Sequence, residues 1–375
     1  MVALQKNILL QRGVSVKKNL FVKDLRPKSD IEELFLVKYL AVMESRDGKN
    51  YLNMVLTDSS GDLESRKWQG AREISDKISV GDYVKAKGKV NLYQGRVQLV
   101  LQSVEKIDQA LIEVSDYVAK AEVGPEKMFN DLVAIVSKLD DVYIKDLINA
   151  ILFDSEIQRR LKVWQAGKTI HHAYMSGLLE HILSCANLAI TLSDHYKVNK
   201  NYVVAGAIMH DLCKIYELTE GPVVEYTEEG KLVGHLVKIL ELIDHFSSKI
   251  PSFPYNLKTH LKHIMLSHHG EYEYGSPKVP QTSEAFLVHL IDLMDSKMSS
   301  LETIKKQDKT PGRWSGFVKH LDRVIYKEEL PFYRDYIKKN EADKNVKASN
   351  KKNNDKTAKT SMASLFDGIE IESKD

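Results

Sequence analysis

Histidine and aspartate side chains able to hold a divalent cation recur through one part of the chain. Of the 13 histidines, all but His320 lie between His171 and His289, and none precedes His171. The run Ala205-Gly206-Ala207-Ile208-Met209-His210-Asp211-Leu212-Cys213-Lys214 delivers an adjacent imidazole and carboxylate, with a lysine one turn later. His181, His235, His268, His269 and Asp292 are the further candidate ligands. They recur about 25 to 35 residues apart, roughly one helix plus its connection. Imidazole combined with carboxylate suits Mn, Fe, Co, Ni or Zn better than Mg, which prefers an oxygen shell. A zinc finger is excluded, because Cys185 and Cys213 are the only cysteines and form no Cys-x-x-Cys pair.

The elements that must position these residues read as helices. His181 follows Gly177-Leu178-Leu179-Glu180 and precedes Ile182-Leu183 on an apolar face, where an uncoordinated imidazole needs another partner. Asp292 sits inside Phe286-Leu287-Val288-His289-Leu290-Ile291-Asp292-Leu293-Met294, where an acid is costly unless paired or bound to metal. Asp295, one turn on, is expected behind the ligands or on the substrate. A short hairpin is expected at Val223–Thr227, then an amphipathic helix from His235 through Ile239, Leu240 and Ile243. A further helix from Leu257 carries His260, read as solvated, and His263, left open. His195, His245 and His320 carry no functional expectation. The whole reads as a bundle whose helices each lend a ligand to a shared centre.

A chain of 375 residues has room for two domains, each with its own core. Charged residues make up 28% and the net charge is +2, so any basic footprint for nucleic acid must be local. No apolar run approaches a membrane span, and Ile8-Leu9-Leu10 is too short for a signal-peptide core. No membrane association is expected, and two cysteines without a disulfide framework fit the cytoplasm.

Before the histidine-rich region the pattern is different. Phe35–Glu44, Tyr51–Asp58, Leu63–Trp68, Tyr83–Val90 and Val97–Leu101 alternate as strands, separated by turns such as Asp47-Gly48 and Ser60-Gly61. Residues 70–78 read as a short helix. Five strands with a helix after the third is the order of an OB-fold barrel, which binds oligonucleotides on one face. Tyr51, Trp68 and Tyr93 could stack bases while Arg66, Lys67, Lys85, Lys87, Lys89 and Arg96 meet phosphates. From Ile107 to Leu161 the pattern turns helical, with a break and restart at Gly124-Pro125-Glu126.

The doublet with its flanking His and distant Asp resembles the HD superfamily of metal-dependent phosphohydrolases. The segments His171–His181, Glu225–His235, Leu266–Gly270, Tyr274-Gly275-Ser276-Pro277 and Ile291–Lys297 are similar to those of YhaM-type 3′-to-5′ exoribonucleases. That resemblance implies a multidomain α and β protein, a five-stranded OB-fold barrel followed by an all-α HD-domain bundle. The expected boundaries are a lead-in at 1–19, the OB-fold at 20–107, a helical connector at 108–160, the HD domain at 161–337 and a Lys-rich disordered tail at 338–375. It also implies a metal-dependent exonuclease that hydrolyses single-stranded RNA, and by extension single-stranded DNA, to 5′-mononucleotides. Mn²⁺ is the expected cofactor, as one or two ions. His181, His210, Asp211 and Asp292 are the expected ligands. His235, His268 and His269 stand where HD-GYP-type domains hold a second ion. Asp211 and Lys214 are expected to be catalytic, with His171 and His172 on the substrate side. HD proteins usually carry Gly before that lysine; Cys213 replaces it here and is read as packing. A homo-oligomer, and a protein partner docking at Ser364-Leu365-Phe366, are further expectations. The competing readings are an HD phosphodiesterase for cyclic dinucleotides or nucleotides, and an RNA-binding protein with a vestigial metal site. Against the former stands the lack of an intact Gly-Tyr-Pro after His268-His269.

Overall fold

The computed structural model describes residues 17–330 except 46, 94–95, 119–120, 168–171, 173 and 309, and of Arg96 only the backbone. His171, the tail from 338 and the Ser364-Leu365-Phe366 segment lie outside the described residues. Five strands form a closed barrel in the order β1-β2-β3-β5-β4: β1 (Asp30–Glu44), β2 (Asn50–Asp58), β3 (Gly61–Lys67), β4 (Tyr83–Tyr93) and β5 (Arg96–Ile107). A short helix, α1 (Ala71–Ser75), joins β3 to β4. This is the OB-fold. The alternation is plain in β4, where Val84, Ala86 and Val90 point inward between exposed Lys85, Lys87 and Lys89. The long β1 closes the barrel by pairing with β2 at one end and β4 at the other. Gly88 marks a bulge against β5: a Cβ there would stand 2.3 Å from the Val100 carbonyl oxygen. Phe35, Leu52, Met54, Leu56, Val84 and Leu99 fill the interior. Lys18, in the expected lead-in, is buried. Its Nζ donates to the Leu34 carbonyl at 2.5 Å, lies 3.3 Å from Asp58 and sits over the Phe35 ring.

The helical pattern expected from Ile107 begins later. β5 runs to Ile107, and two 3₁₀ turns, Gln109–Leu111 and Val114–Asp116, follow it. Leu111 to Val118 bring Ile112, Tyr117 and Val118 against Leu34, Leu36 and Tyr83 of the barrel. The helices are α2 (Pro125–Ser137), α3 (Val142–Leu152), α4 (Ser155–Leu161), α5 (Gly177–Tyr196), α6 (Lys200–Met209), α7 (Lys214–Glu217), α8 (Glu228–Leu232), α9 (His235–Ser247), α10 (Tyr255–Ser267) and α11 (Ser283–Gln307). Pro125 opens α2 at the position where its missing N–H costs nothing. The stretch read as a connector is more than that. Leu132, Val136, Ile144, Leu147, Ile151 and Leu161 belong to the same core as Ile182, Ile208, Ile264 and Val288. The expected hairpin at Val223–Thr227 is a single bridge pairing Leu218 with Tyr226. The chain divides into compact units after Gln307, short of the boundary expected at 337. In the second unit Asp308 holds Lys327 at 2.9 Å and Trp314 packs on Tyr326. Among the described residues no helix is long and apolar enough to cross a membrane.

Candidate metal centre

Three helices bring the first four candidate ligands together. His181 lies in the first half of α5, His210 directly follows α6, and Asp292 occupies the middle of α11. His210 caps α6 with its backbone still in the right-handed helical region, Asp211 follows it, and both are buried. His181 Nε2 stands 3.1 Å from His210 Nε2, 3.4 Å from Asp211 Oδ2 and 3.4 Å from Asp292 Oδ1. His210 Nε2 is 3.5 Å from Asp211 Oδ2 and 3.7 Å from Asp292 Oδ1.

The second group meets the other oxygen of the same carboxylate. Asp211 Oδ1 is 3.5 Å from His235 Nε2 and 3.8 Å from His268 Nε2. His235 is the first residue of α9, and His268 and His269 follow the last residue of α10. Ligand atoms of His235, His268 and His269 lie within 4.8 Å of one another, as do those of the first four residues. Lys214 Nζ donates to Asp211 Oδ2 at 2.6 Å.

All five imidazoles are oriented the same way. Nδ1 faces an acceptor in each: Asp295 Oδ2 at 2.7 Å for His181, the Ala207 carbonyl at 3.0 Å for His210 and the Glu217 carboxylate for His235. For His268 it is the Met265 carbonyl at 2.8 Å, and for His269 the Tyr274 carbonyl at 3.1 Å. A proton on Nδ1 leaves Nε2 as a lone pair aimed into the cluster, the arrangement in which histidine ligates metal. Nε2 of His235 and of His268 is buried with no hydrogen-bond partner. An orphaned buried nitrogen costs about 1–3 kcal/mol. A divalent cation would satisfy both, so these residues fit a metal.

The local charges point the same way. Burial would raise the Asp211 carboxyl, but Lys214, His210 and His181 hold it well below the usual carboxylate range. Burial also opposes ionisation of Asp292, which the facing His181 and His210 rings keep low. Burial alone would lower His181; the carboxylates of Asp211, Asp292 and Asp295 lift it well above the ordinary imidazole value. Burial, reinforced by the neighbouring His210 and His269, pushes His268 well below that value. His269 is lowered by burial and by His235.

His172 was expected on the substrate side, and the structure places it behind the cluster. It is buried, with Nδ1 against Tyr174 Oη at 2.8 Å and Glu180 at 3.1 Å, and Nε2 3.2 Å from Asp295. Asp295 also accepts from Ser184 and holds His181, so His172 and His181 share one carboxylate, with their rings 5.4 Å apart. A buried imidazole must satisfy both nitrogens, and Asp295 and Glu180 do so. Glu217 was missed from sequence. Three residues after Lys214, it could have been sought as the carboxylate that a ligating histidine needs on its other nitrogen. His263 Nε2 accepts from the Gln281 N–H at 3.0 Å, and His289 Nδ1 faces the His268 carbonyl at 2.8 Å; both are framework residues. Cys213 is buried outside every candidate ligand group, whereas Cys185 Sγ lies 3.7 Å from His181 Nδ1.

On the barrel, Tyr51 and Trp68 stack with ring centroids 5.0 Å apart, and the Arg66 guanidinium lies 5.7 Å from the Tyr51 ring and 5.3 Å from that of Tyr93. Trp68 and Tyr93 are about half exposed. The register runs from Arg66 to Val100 to Lys89, two strands away. Lys85 and Lys87 lie further along β4 and share Glu32, at 2.6 and 3.6 Å. The aromatics and Arg66 therefore form one face, with Lys85 and Lys87 in an ion-paired row apart from it. The Arg96 side chain lies outside what is described.

Two family models match the chain: an HD domain at residues 178–297 and an OB-fold nucleic acid binding domain at residues 38–107. An HD domain carries divalent metal binding and phosphohydrolase chemistry. A domain of replication protein A from Methanococcus maripaludis is 18% identical and covers 25% of this chain and 99% of its own, at a TM-score of 0.22. The 3′-5′ exoribonuclease YhaM of Oceanobacillus iheyensis is 29% identical over 315 residues, 83% of this chain and 96% of the relative. YhaM of Listeria monocytogenes is 32% identical over 303 residues, 80% of this chain and 95% of the relative. With nearly the whole of these relatives spanned and both domains matched, the chain belongs to the YhaM family of 3′-5′ exoribonucleases.

Proposed function

We propose that the protein hydrolyses single-stranded RNA, and by extension single-stranded DNA, from the 3′ end to 5′-mononucleotides in the cytoplasm, using Mn²⁺. The observation that carries this reading is the convergence of His181, His210, Asp211 and Asp292 on one buried point. Those four would hold one cation; Asp211 Oδ1 with His235, His268 and His269 would hold a second. When bound, a divalent cation makes water acidic and offsets charge on phosphoryl oxygens.

The chain's own residues supply the rest. Asp211, kept ionised by Lys214 and His210, offers an oxygen to each half of the site. The Lys214 ammonium beside it is placed to neutralise charge developing on a phosphate. Asp295 fixes the His181 ring and keeps its proton on Nδ1. No side chain in the cluster is an activated nucleophile, so water attacks phosphorus directly and the 3′ oxygen leaves. Tyr51, Trp68 and Arg66 would hold the incoming strand by stacking and phosphate contact.

The test uses 5′-labelled single-stranded RNA with Mn²⁺, and the His210→Ala/Asp211→Ala double variant in parallel. Laddering that shortens from the 3′ end with wild type, and none with the variant, is expected. Binding without cleavage by wild type, or turnover confined to cyclic dinucleotides or free nucleotides, would reject the reading.

A further inference from the structure

Glu217 belongs to neither candidate ligand group, yet it is built into the centre. It closes the short α7, and its carboxylate meets Nδ1 of His235, the nitrogen turned away from the cluster. The other nitrogen of that ring is 3.5 Å from Asp211 Oδ1 and has no hydrogen-bond partner. The main chain of Glu217 is held as tightly as its side chain. Its carbonyl accepts from the Thr227 N–H at 2.9 Å and from Thr227 Oγ1 at 3.2 Å. A Cβ at position 230 would stand 2.2 Å from that carbonyl oxygen, so α8 can lie on Glu217 only because residue 230 is Gly. The chain then turns through Gly234, at φ +75°, and delivers His235 as the first residue of α9. Residues 218–234 thus form a strap that fixes the carboxylate and presents the ring it holds.

The charge count in the two halves is unequal. The half at His181 and His210 faces Asp211 Oδ2 and Asp292, with Asp295 behind His181. The half at His235, His268 and His269 has Asp211 Oδ1 as its facing carboxylate oxygen, shared through a carboxylate that also carries the Lys214 ammonium, and Asp292 adds only a weaker field at His269. Glu217 adds a second negative charge to this poorer half, applied through the ring of His235. Without it the half-site is three imidazoles and part of one carboxylate. We propose that Glu217 is a positioning residue: it orients His235, sets its proton on Nδ1, and decides whether the half-site of His235, His268 and His269 retains a cation.

The inference rests on the two-cation reading proposed above, and the experiment separates them. Full-length protein is stripped with a chelator and titrated with Mn²⁺, counting bound ions by elemental analysis after gel filtration. Binding is followed by calorimetry, and Co²⁺ absorption reports the ligand field. Wild type is expected to hold two cations in steps of unequal affinity. Glu217→Gln keeps an acceptor for Nδ1 but loses the charge, and should weaken the second step about 10- to 100-fold, leaving the first unchanged. Glu217→Ala should retain one cation. Gly230→Ala, which touches no ligand, should weaken the second step by displacing Glu217. Circular dichroism checks the fold, Glu217→Gln serving where Glu217→Ala fails to fold. Two cations bound with unchanged affinities in Glu217→Gln overturn the inference while sparing the two-cation reading. A wild type that holds one cation regardless of Glu217 overturns the inference and the second site together; one that holds none overturns the metal reading as well.

Discussion

Asp211 faces His235 across 3.5 Å with Oδ1, while its other oxygen is 3.4 Å from His181. One buried carboxylate thereby joins a group on α5, α6 and α11 to a group on α9 and α10. A His-Asp doublet alone is a common dipeptide; here its aspartate is the point where five helices meet.

Asp295 touches no residue of the second group, yet it anchors His181 Nδ1 at 2.7 Å and receives His172 and Ser184. Asp295→Asn keeps the size and removes the charge. It should lower cation affinity or turnover about 10- to 100-fold, as expected for a carboxylate supporting a metal-ligating histidine. Calorimetric Mn²⁺ titration checks this, and unchanged affinity would remove the support role.

The lowered values of His268 and His269 give a pH dependence with a definite sign. In the folded, cation-free protein these rings stay neutral below the ordinary value of about 6.5, whereas the unfolded chain takes up protons there. Their contribution to stability is therefore full above that pH and is lost as the pH falls through the lowered folded values. His181, whose value is raised, acts oppositely above that pH, so denaturant titrations of the cation-free protein should show the loss on acidification from about pH 6.5 to 5. His268→Gln, which cannot titrate, should flatten that loss. An equal slope in both proteins contradicts the assignment.

The residues of the cluster could be singled out from sequence because an acid such as Asp292, inside an apolar helical run, demands a partner. The barrel was readable because β4 alternates inward Val84, Ala86 and Val90 with outward lysines. What periodicity does not encode is which distant group a side chain meets. Glu217 stands in an ordinary polar run, and nothing local marks it as the partner of His235, eighteen residues on. His172 could be assigned to the cluster by composition, but only the fold shows that it shares the Asp295 carboxylate with His181. Buried Lys18 is a similar case, since its partners Leu34 and Asp58 lie on other strands. The helices of 125–161 showed an apolar face, yet not that this face joins the core of the bundle.

The stacked pair of Tyr51 and Trp68 predicts a separation of binding from chemistry. Trp68→Ala should weaken single-stranded RNA by about 1–3 kcal/mol, the usual worth of one stacked base. It should raise KM for a long strand and leave turnover of bis(p-nitrophenyl) phosphate unchanged. Filter binding beside steady-state kinetics checks both, and an equal fall on the small substrate would place Trp68 elsewhere in the mechanism.

Gly206 is where α6, the helix leading to His210, meets α10 and α11. A Cβ there would lie 2.6 Å from Val288 Cγ2 and 2.8 Å from Ile264 Cγ2. Gly206→Ala should destabilise the protein by about 1–3 kcal/mol, the usual cost of overpacking a filled core. Chemical denaturation measures this directly. Stability equal to wild type would show that the three helices can part without cost.

The most direct test of the central claim is cation content after Mn²⁺ loading and gel filtration, comparing wild type with Asp211→Asn. Since Asp211 is the carboxylate both halves share, wild type is expected to keep bound metal and the variant to lose it from both halves. Wild type emerging free of metal, or Asp211→Asn retaining the wild-type amount, would contradict the account.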